Sequence, residues 1–388
     1  MPEHRRFNGE RLRMARAYRG LTSTEFAGKL GVTKQAVYQL ESGKNSPRFE
    51  TLLQIANLLD FPREFFYQWD RREIPRTANT FFRAQLTTHK TEQISQMEKI
   101  KILARIHIFL RNYVDLPSLN IPEFHFVDGE FDVEDIANDV KKSWYIGDGP
   151  IPNMVRLLER NGFIVTSLPV GSSRIDAFSM GYEANGQPEY YIVLGSDKDS
   201  AVRRQFDAAH ELGHCVLHNW TTNGDEGGRA EIRERESEAN RFAAAFLMPK
   251  ESFLADLIYP NKLDFYVSLK KRWKVSIASM IVRAFHLGAI NANQYHYLMR
   301  QLTRRGWRHR EPLDDELKVD QPVILRKALD LILSSGTLMP SQFVKQLSEE
   351  EYLSLSRREI EILLGLPGGT LFDEFQETPI IQLREASD

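Results

Sequence analysis

Apolar positions recur every three to four residues over most of this chain, the spacing of amphipathic helices, and alternate like strands only in a short central stretch. Near the start, Leu12, Ala15 and Tyr18 share the inner side of a first short helix that Gly20-Leu21-Thr22 closes. Thr22 or Ser23 caps a second segment, Glu25 to Leu30, and Gly31-Val32-Thr33 turns tightly into a third, Lys34 to Glu41, with Thr33 as N-cap. Ser42-Gly43-Lys44 ends that helix, and Pro47 opens the way to an amphipathic fourth, Thr51 to Leu59. Residues 70 to 92 mix charges, Pro75 and threonines in the manner of a hinge, with Phe81-Phe82 expected to dock onto another element. The spacing of Ile94, Met97, Ile100, Leu103, Ile106 and Leu110 predicts a long helix from Glu92 to Leu116 that stops before Pro117. Such a helix serves either as a dimer strut or as packing for the rest of the protein, and its pattern suits both.

Farther along, Asp132 to Trp144 and Pro152 to Asn161 are helical, the latter ended by Gly162. Phe163-Ile164-Val165-Thr166, Arg174 to Met180 and Tyr190 to Leu194 read as strands, with Asn185-Gly186 at the hairpin turn. Ile175 to Ser179 is expected at a sheet edge, where it either binds an extended substrate by strand addition or only completes the core. Two amphipathic helices follow the strands. Over Val202 to His218 the apolar stripe is Phe206, Ala209, Gly213, Val216 and Leu217, with His210 and His214 on its flank. A polar, glycine-rich loop at 219 to 229 leads to the second helix, which ends before Pro249. Its stripe is Ile232, Ala239, Ala243 and Phe246. From Asn293 onward the chain is helical, with capping-box pairs at Ser348/Glu351 and Ser356/Glu359 and a helix break at Leu366-Pro367-Gly368-Gly369. No chemistry is legible in this tail.

Composition changes this picture little. With 388 residues, 42% apolar and 27% charged, the chain has the makings of two or three soluble globular domains. It has no run of eighteen apolar residues and no apolar signal segment at its start, and its one cysteine excludes an intramolecular disulfide; these features suit a cytoplasmic protein. The net charge of −2 makes no case for nucleic acid, but its distribution does: Arg5, Arg6, Arg11, Arg13, Arg16 and Arg19 crowd the first twenty residues against Glu3 and Glu10 alone.

The candidate chemistry lies on the two central helices. His210-Glu211-Leu212-Gly213-His214 places two imidazoles one turn apart, able to share a Zn²⁺, with Glu211 between them as a base toward the metal's water. On the next helix Glu236 falls within the apolar stripe, where a carboxylate costs several kcal/mol unless a cation compensates it. Zinc bound by His210, His214 and Glu236, with water in the fourth position, accounts for all three residues. Asn240, one turn beyond Glu236, is expected to steady one of the histidines, whereas Glu238 points elsewhere and its loss should leave zinc in place. His218 is stacked too far along the helix to join His210 on one ion, so it is read as a helix-end residue or a support to the ligands. Trp220, six residues after His214, excludes a third histidine of the metzincin kind, and Cys215 reads as buried filler.

The first sixty or so residues resemble the lambda-repressor type of helix-turn-helix found in the Xre family. The resemblance rests on Leu21, Ala27, Gly31-Val32-Thr33, Val37, Leu40-Glu41-Ser42-Gly43, Pro47, Leu52, Ile55-Ala56 and Leu59. It implies double-stranded DNA as a partner, with Lys34, Gln35 and Gln39 at base edges and Lys44 and Arg13 at phosphates. Ser23 stands where the family has glutamine, which puts one contact at the edge of the DNA site in doubt. About half the chain, 119 to about 290, resembles the ImmA/IrrE family of zinc metallopeptidases. That resemblance is carried by Trp144, Gly149-Pro150-Ile151, Leu158-Glu159, Asp176-Ala177-Phe178-Ser179, Arg204-Gln205-Phe206, the His210 to His214 motif, and Glu236-Ser237-Glu238-Ala239-Asn240-Arg241-Phe242-Ala243-Ala244 running to Leu247-Met248-Pro249. It implies a gluzincin-like ligand set of His210, His214 and Glu236, Glu211 as catalytic base, and a repressor protein as substrate.

The expected fold class is α+β and mostly helical. A helix-turn-helix head at 1–70 is followed by a linker and long connecting helix at 71–118, a zincin-like peptidase domain with a small sheet at 119–292, and a helical C-terminal domain at 293–388. The expected function is a DNA-binding zinc endopeptidase acting on a repressor or antitoxin-like protein. The competing reading is a transcription regulator or antitoxin whose peptidase-like domain senses a ligand or partner without hydrolysis. Tyr182, Arg174 and His286 stand unranked as oxyanion donors, and a homodimer is left open.

Overall fold

The computed structural model describes residues 6–69, 77–82, 90–124, 132–169, 176–184, 187–197, 200–218 and 228–372. Arg5, Arg174, the Asn185-Gly186 turn and the loop at 219–227 lie outside them. In chain order the elements are α1 (Gly9–Tyr18), α2 (Ser23–Leu30), α3 (Lys34–Glu41), α4 (Phe49–Leu59), a 3-10 turn (Arg63–Tyr67), β1 (Thr77–Phe82), α5 (Lys90–Leu110), α6 (Val133–Ser143), α7 (Met154–Arg160), β2 (Ile164–Leu168), β3 (Ala177–Ala184), β4 (Gln187–Gly195), α8 (Ala201–Leu217) and α9 (Arg229–Leu247). There follow α10 (Lys250–Asp256), α11 (Leu263–Trp273), α12 (Ile277–His286), α13 (Ala292–Arg304), α14 (Ile324–Ser334), α15 (Pro340–Glu350) and α16 (Arg357–Leu364). The class is α+β and mostly helical, as the periodicity predicts.

The chain divides into two compact units. One takes in Met1–Arg72, Lys101–Val114 and Arg326–Asp388, the other Glu73–Ile100 and Asp115–Leu325. This differs from a separate C-terminal domain at 293–388: residues up to Leu325 group with the peptidase-like part, and those from Arg326 with the head. The reason is visible in the first unit. Its helices are short and tightly capped. Thr22 and Glu25 form a capping box, Gly31 ends α2 in the left-handed region at φ 71°, and Thr33 accepts from Ala36 N at 3.1 Å. Leu12, Phe26, Val37, Ile55 and Leu59 fill the interior. The tail helices are too short to bury Phe343, Leu347, Ile360 and Leu363 among themselves, and they dock on this body. Tyr18 donates its hydroxyl to Glu359, Arg19 Nη2 reaches Glu359 at 2.8 Å, and Phe109 meets Phe343 edge-on at 5.3 Å. Ser356 caps α16 as predicted, accepting from Glu359 N at 3.2 Å. Ser348 is no cap: it lies inside α15, where Gln68 Nε2 donates to its hydroxyl at 3.2 Å.

The long helix α5 stops at Leu110 rather than Leu116. From Ile100 to Leu110 it is buried on nearly every side, Arg105 and His107 included, so this half of its apolar stripe packs within the chain.

In the second unit the sheet order is β1-β3-β4-β2, with β3 antiparallel to both neighbours and β2 parallel to β4. The expected edge strand is therefore internal. Residues 77–82 take its outer side, with Phe81 opposite Ser179 and Phe82 opposite Phe178. Helix α8 crosses β3 and β4, and α9 packs between α8 and α6. Trp144 meets Phe163 and Phe246 edge-on at 6.2 and 5.8 Å, near the middle of the core. Gly213 sets the approach of α8 to α9: a Cβ there would lie 3.1 Å from a Phe242 ring carbon and 3.2 Å from Ala239 Cα. Gly213→Val is expected to lower stability by roughly 1–3 kcal/mol in a urea titration and to weaken zinc binding with it, because the helices must part. An unchanged midpoint would show that the helix contact does not depend on this glycine.

Candidate metal centre

Helix α8 begins under a Ser200 cap and runs into the core, so that His210, Glu211 and His214 are all buried. Four-residue spacing stacks the two imidazoles on one face, their Nε2 atoms 3.0 Å apart. Helix α9 delivers Glu236 to the same point, its carboxylate oxygens 3.5 Å from His210 Nε2 and 3.4 Å from His214 Nε2. Among the described residues this is the one group of three or more histidine, cysteine or acidic side chains able to hold a metal ion. Tetrahedral ligands about 2.0–2.1 Å from a zinc ion are separated from one another by about 3.3 Å, and the spacings here are of that size, each carboxylate oxygen of Glu236 facing a different ring nitrogen.

Hydrogen bonding at the outer ring atoms supports the same fit. Asn240 Nδ2 donates to Glu236 O at 2.8 Å, which turns Asn240 Oδ1 toward His210 Nδ1 at 3.1 Å. An amide oxygen can only accept, so the proton of His210 sits on Nδ1 and its Nε2 carries a lone pair. Burial raises the pKa of Glu236, whereas ring N–H groups of His210 and His214 facing it would lower it to about 2; a cation at this point would take the place of those protons against the same carboxylate. Imidazole lone pairs and a carboxylate converging in a buried site make a donor set for a divalent cation.

Glu211 is fully buried beside this set, and Ser179 Oγ on β3 donates to its Oε2 at 2.7 Å. Ser179 escaped the reading of the sequence as a site residue. The available signal was a hydroxyl on an apolar strand whose alternation turns residues 177, 179 and 181 to one face. Tyr182 falls on the opposite face, packs edge-on against Tyr191 at 5.4 Å, and has its pKa raised by burial and then by Glu98. That orientation removes it as an oxyanion donor. His286 is exposed at the end of α12, its ring 5.9 Å from that of Phe285 and not among the residues gathered here. Glu238 does not point away from the centre, as its spacing from Glu236 suggested. It bonds His218 Nε2 at 3.2 Å.

In the head, Lys34 and Gln35 lie exposed on the first turn of α3 with Tyr38 one turn later, and Arg13 is exposed on α1. Gln39 is half-buried and accepts from Asn45 Nδ2 at 2.9 Å, while Lys44 Nζ lies 5.6 Å from the Tyr38 ring centre. The arginine crowd is only partly a surface. Arg11 is buried and donates to Tyr352 O, Arg16 grips Glu41 through two bonds of 2.6 and 3.1 Å, and Arg19 donates to Leu59 O at 2.7 Å.

Residues 158–285 match the sequence profile of the IrrE N-terminal-like domain, and residues 9–65 that of a helix-turn-helix domain. Over 64 residues, 16% of its length, the chain is 33% identical to YqaE of Bacillus subtilis (strain 168), an uncharacterized HTH-type transcriptional regulator. It spans about half of that relative, 55% of its length. No helix among the described residues is long and apolar enough to cross a membrane. On one chain, then, this protein joins a segment similar to helix-turn-helix domains to one similar to the IrrE N-terminal-like domain, and the second of these contains the His210, His214 and Glu236 cluster.

Proposed function

We propose that the protein is a cytoplasmic zinc endopeptidase that cleaves a regulatory protein, a repressor or antitoxin-like partner, in a stress, mobile-element or defence circuit, and binds operator DNA through its head. The observation that carries this reading is the convergence of His210 Nε2, His214 Nε2 and the Glu236 carboxylate beside a buried Glu211. His210, His214 and Glu236 would hold the ion, with Asn240 orienting His210. Zinc, when bound there, would lower the pKa of a water toward about 7 and polarise a peptide carbonyl. Glu211 takes the proton from the attacking water and returns it to the leaving amine. Ser179 holds the Glu211 carboxylate toward that task, and the surrounding core keeps bulk water out. A purely structural zinc site usually has four protein ligands and no base, which favours hydrolysis over sensing. A substrate adding to the outer side of β3 would have to displace residues 77–82.

The test is to incubate the zinc-loaded protein with the repressor or small protein encoded beside its gene. Cleavage that a chelator abolishes is expected. No cleavage of either would move the reading to a regulator that senses without hydrolysis. For the head, Lys34, Gln35 and Gln39 would face base edges, with Lys44 and Arg13 at phosphates. Gln35→Ala should weaken binding to the specific operator by about 1–3 kcal/mol and leave random DNA nearly unaffected. Equal losses on both DNAs would remove base readout from Gln35.

A further inference from the structure

Helix α8 continues past its paired histidines to His218, and α9 continues past Glu236 to Glu238, yet the peptide-cleaving step uses neither. His214 Nδ1 lies 2.9 Å from His218 Nδ1, and His218 Nε2 lies 3.2 Å from a carboxylate oxygen of Glu238. A carboxylate accepts, so His218 donates from Nε2 and has a lone pair at Nδ1. That lone pair accepts from Nδ1–H of His214, which leaves the lone pair of His214 on Nε2, toward His210 and Glu236. We infer that His218 and Glu238 form a positioning relay, Glu238 to His218 to His214, that fixes the tautomer and ring orientation of His214 and so strengthens zinc binding. The inference rests on the metal-centre reading above.

The physical reason lies in where protons would go without the relay. A ligating histidine commonly gives its second N–H straight to a carboxylate, carbonyl or water. Here a second imidazole is interposed, and it ties the end of α8 to α9. His218 is buried, whereas the side chain of Glu238 is 24% exposed at the outer end of the relay. With Glu238 gone, His218 can carry its proton on Nδ1, where it opposes the N–H of His214. His214 then moves its own proton to Nε2, and that proton competes with the metal. The other ligand, His210, depends on Asn240 instead, so the effect falls on one imidazole and weakens the centre without dismantling it.

The experiment measures zinc affinity of the full chain by chelator competition, with folding of each variant checked by circular dichroism. His218→Leu and Glu238→Ala should weaken zinc roughly 10- to 100-fold. His218→Gln, which keeps an acceptor toward His214, should stay much closer to wild type, and Glu234→Ala, on the exposed face of α9, should match it. If His218→Leu fails to fold, Glu238→Ala decides the matter, because Glu238 is partly in solvent. Its ring ¹⁵N spectra should show the His218 proton leaving Nε2. Zinc binding by Glu238→Ala within twofold of wild type, with the His218 tautomer unchanged, would overturn the relay and leave the metal centre standing. A wild-type chain that binds no zinc would overturn both.

Discussion

Glu211→Gln should bind zinc as wild type does and cleave nothing. The glutamine is nearly isosteric and can still accept from Ser179 Oγ, which lies 2.7 Å from the native carboxylate, so the packing around the centre survives. What the substitution removes is the capacity to take a proton. A positioned general base contributes about 10²- to 10⁴-fold, and a loss of that size would take the proposed cleavage below detection. The measurements are cleavage, on a gel, of the candidate substrate named above and zinc content of the same preparation. Product formed by Glu211→Gln at the wild-type rate would remove Glu211 as the base. Loss of zinc in this variant would instead make Glu211 part of the ligand set.

His210→Ala, His214→Ala and Glu236→Ala should each lose zinc at concentrations that saturate wild type. Free energies of zinc binding to protein sites run to roughly 10–16 kcal/mol, so removing one ligand of three costs on the order of 3–5 kcal/mol, or about 10²- to 10⁴-fold in affinity. Zinc should raise the melting temperature of the wild-type chain and not that of these variants, because a ligand that binds only the folded state raises its stability by mass action. Two retained ligands do not rescue the site. In Glu236→Ala the histidines still converge at 3.0 Å, but the charge that balances the ion is gone. Any of the three that holds zinc as wild type does is not a ligand. This larger loss also separates the ligands from His218 and Glu238, whose removal should weaken zinc without abolishing it.

Much of this was legible in the residues because the signals are local. Thr33 caps α3 and Gly31 ends α2 for reasons contained in a few residues of chain. His210 and His214 share a face because one helix repeats every 3.6 residues; the stripe expected around Glu236 is only half met, since the buried part of its helix begins at Ala239 and the Glu236 side chain is 23% exposed. The less legible features depend on pairs far apart in sequence. Ser179 became a site residue through contact with Glu211, 32 positions away, and Tyr182 ceased to be a candidate because strand alternation turns it to the other face. Glu238 sits about 200° round the helix from Glu236 and read as irrelevant. Its carboxylate nonetheless reaches His218 on the neighbouring helix.

The helical class, the caps of the head and the two imidazoles with a glutamate between them could be read from the residues alone, because all follow from backbone periodicity and short-range hydrogen bonding. That the tail docks on the head, that residues 77–82 take the outer side of β3, that Arg11, Arg16 and Arg19 are tied to partners within the chain, and which atoms meet at the candidate metal centre all emerge from packing. Those outcomes depend on which apolar faces remain to be buried after each helix has formed, and on how closely Gly213 lets α8 approach α9. No single segment contains that information.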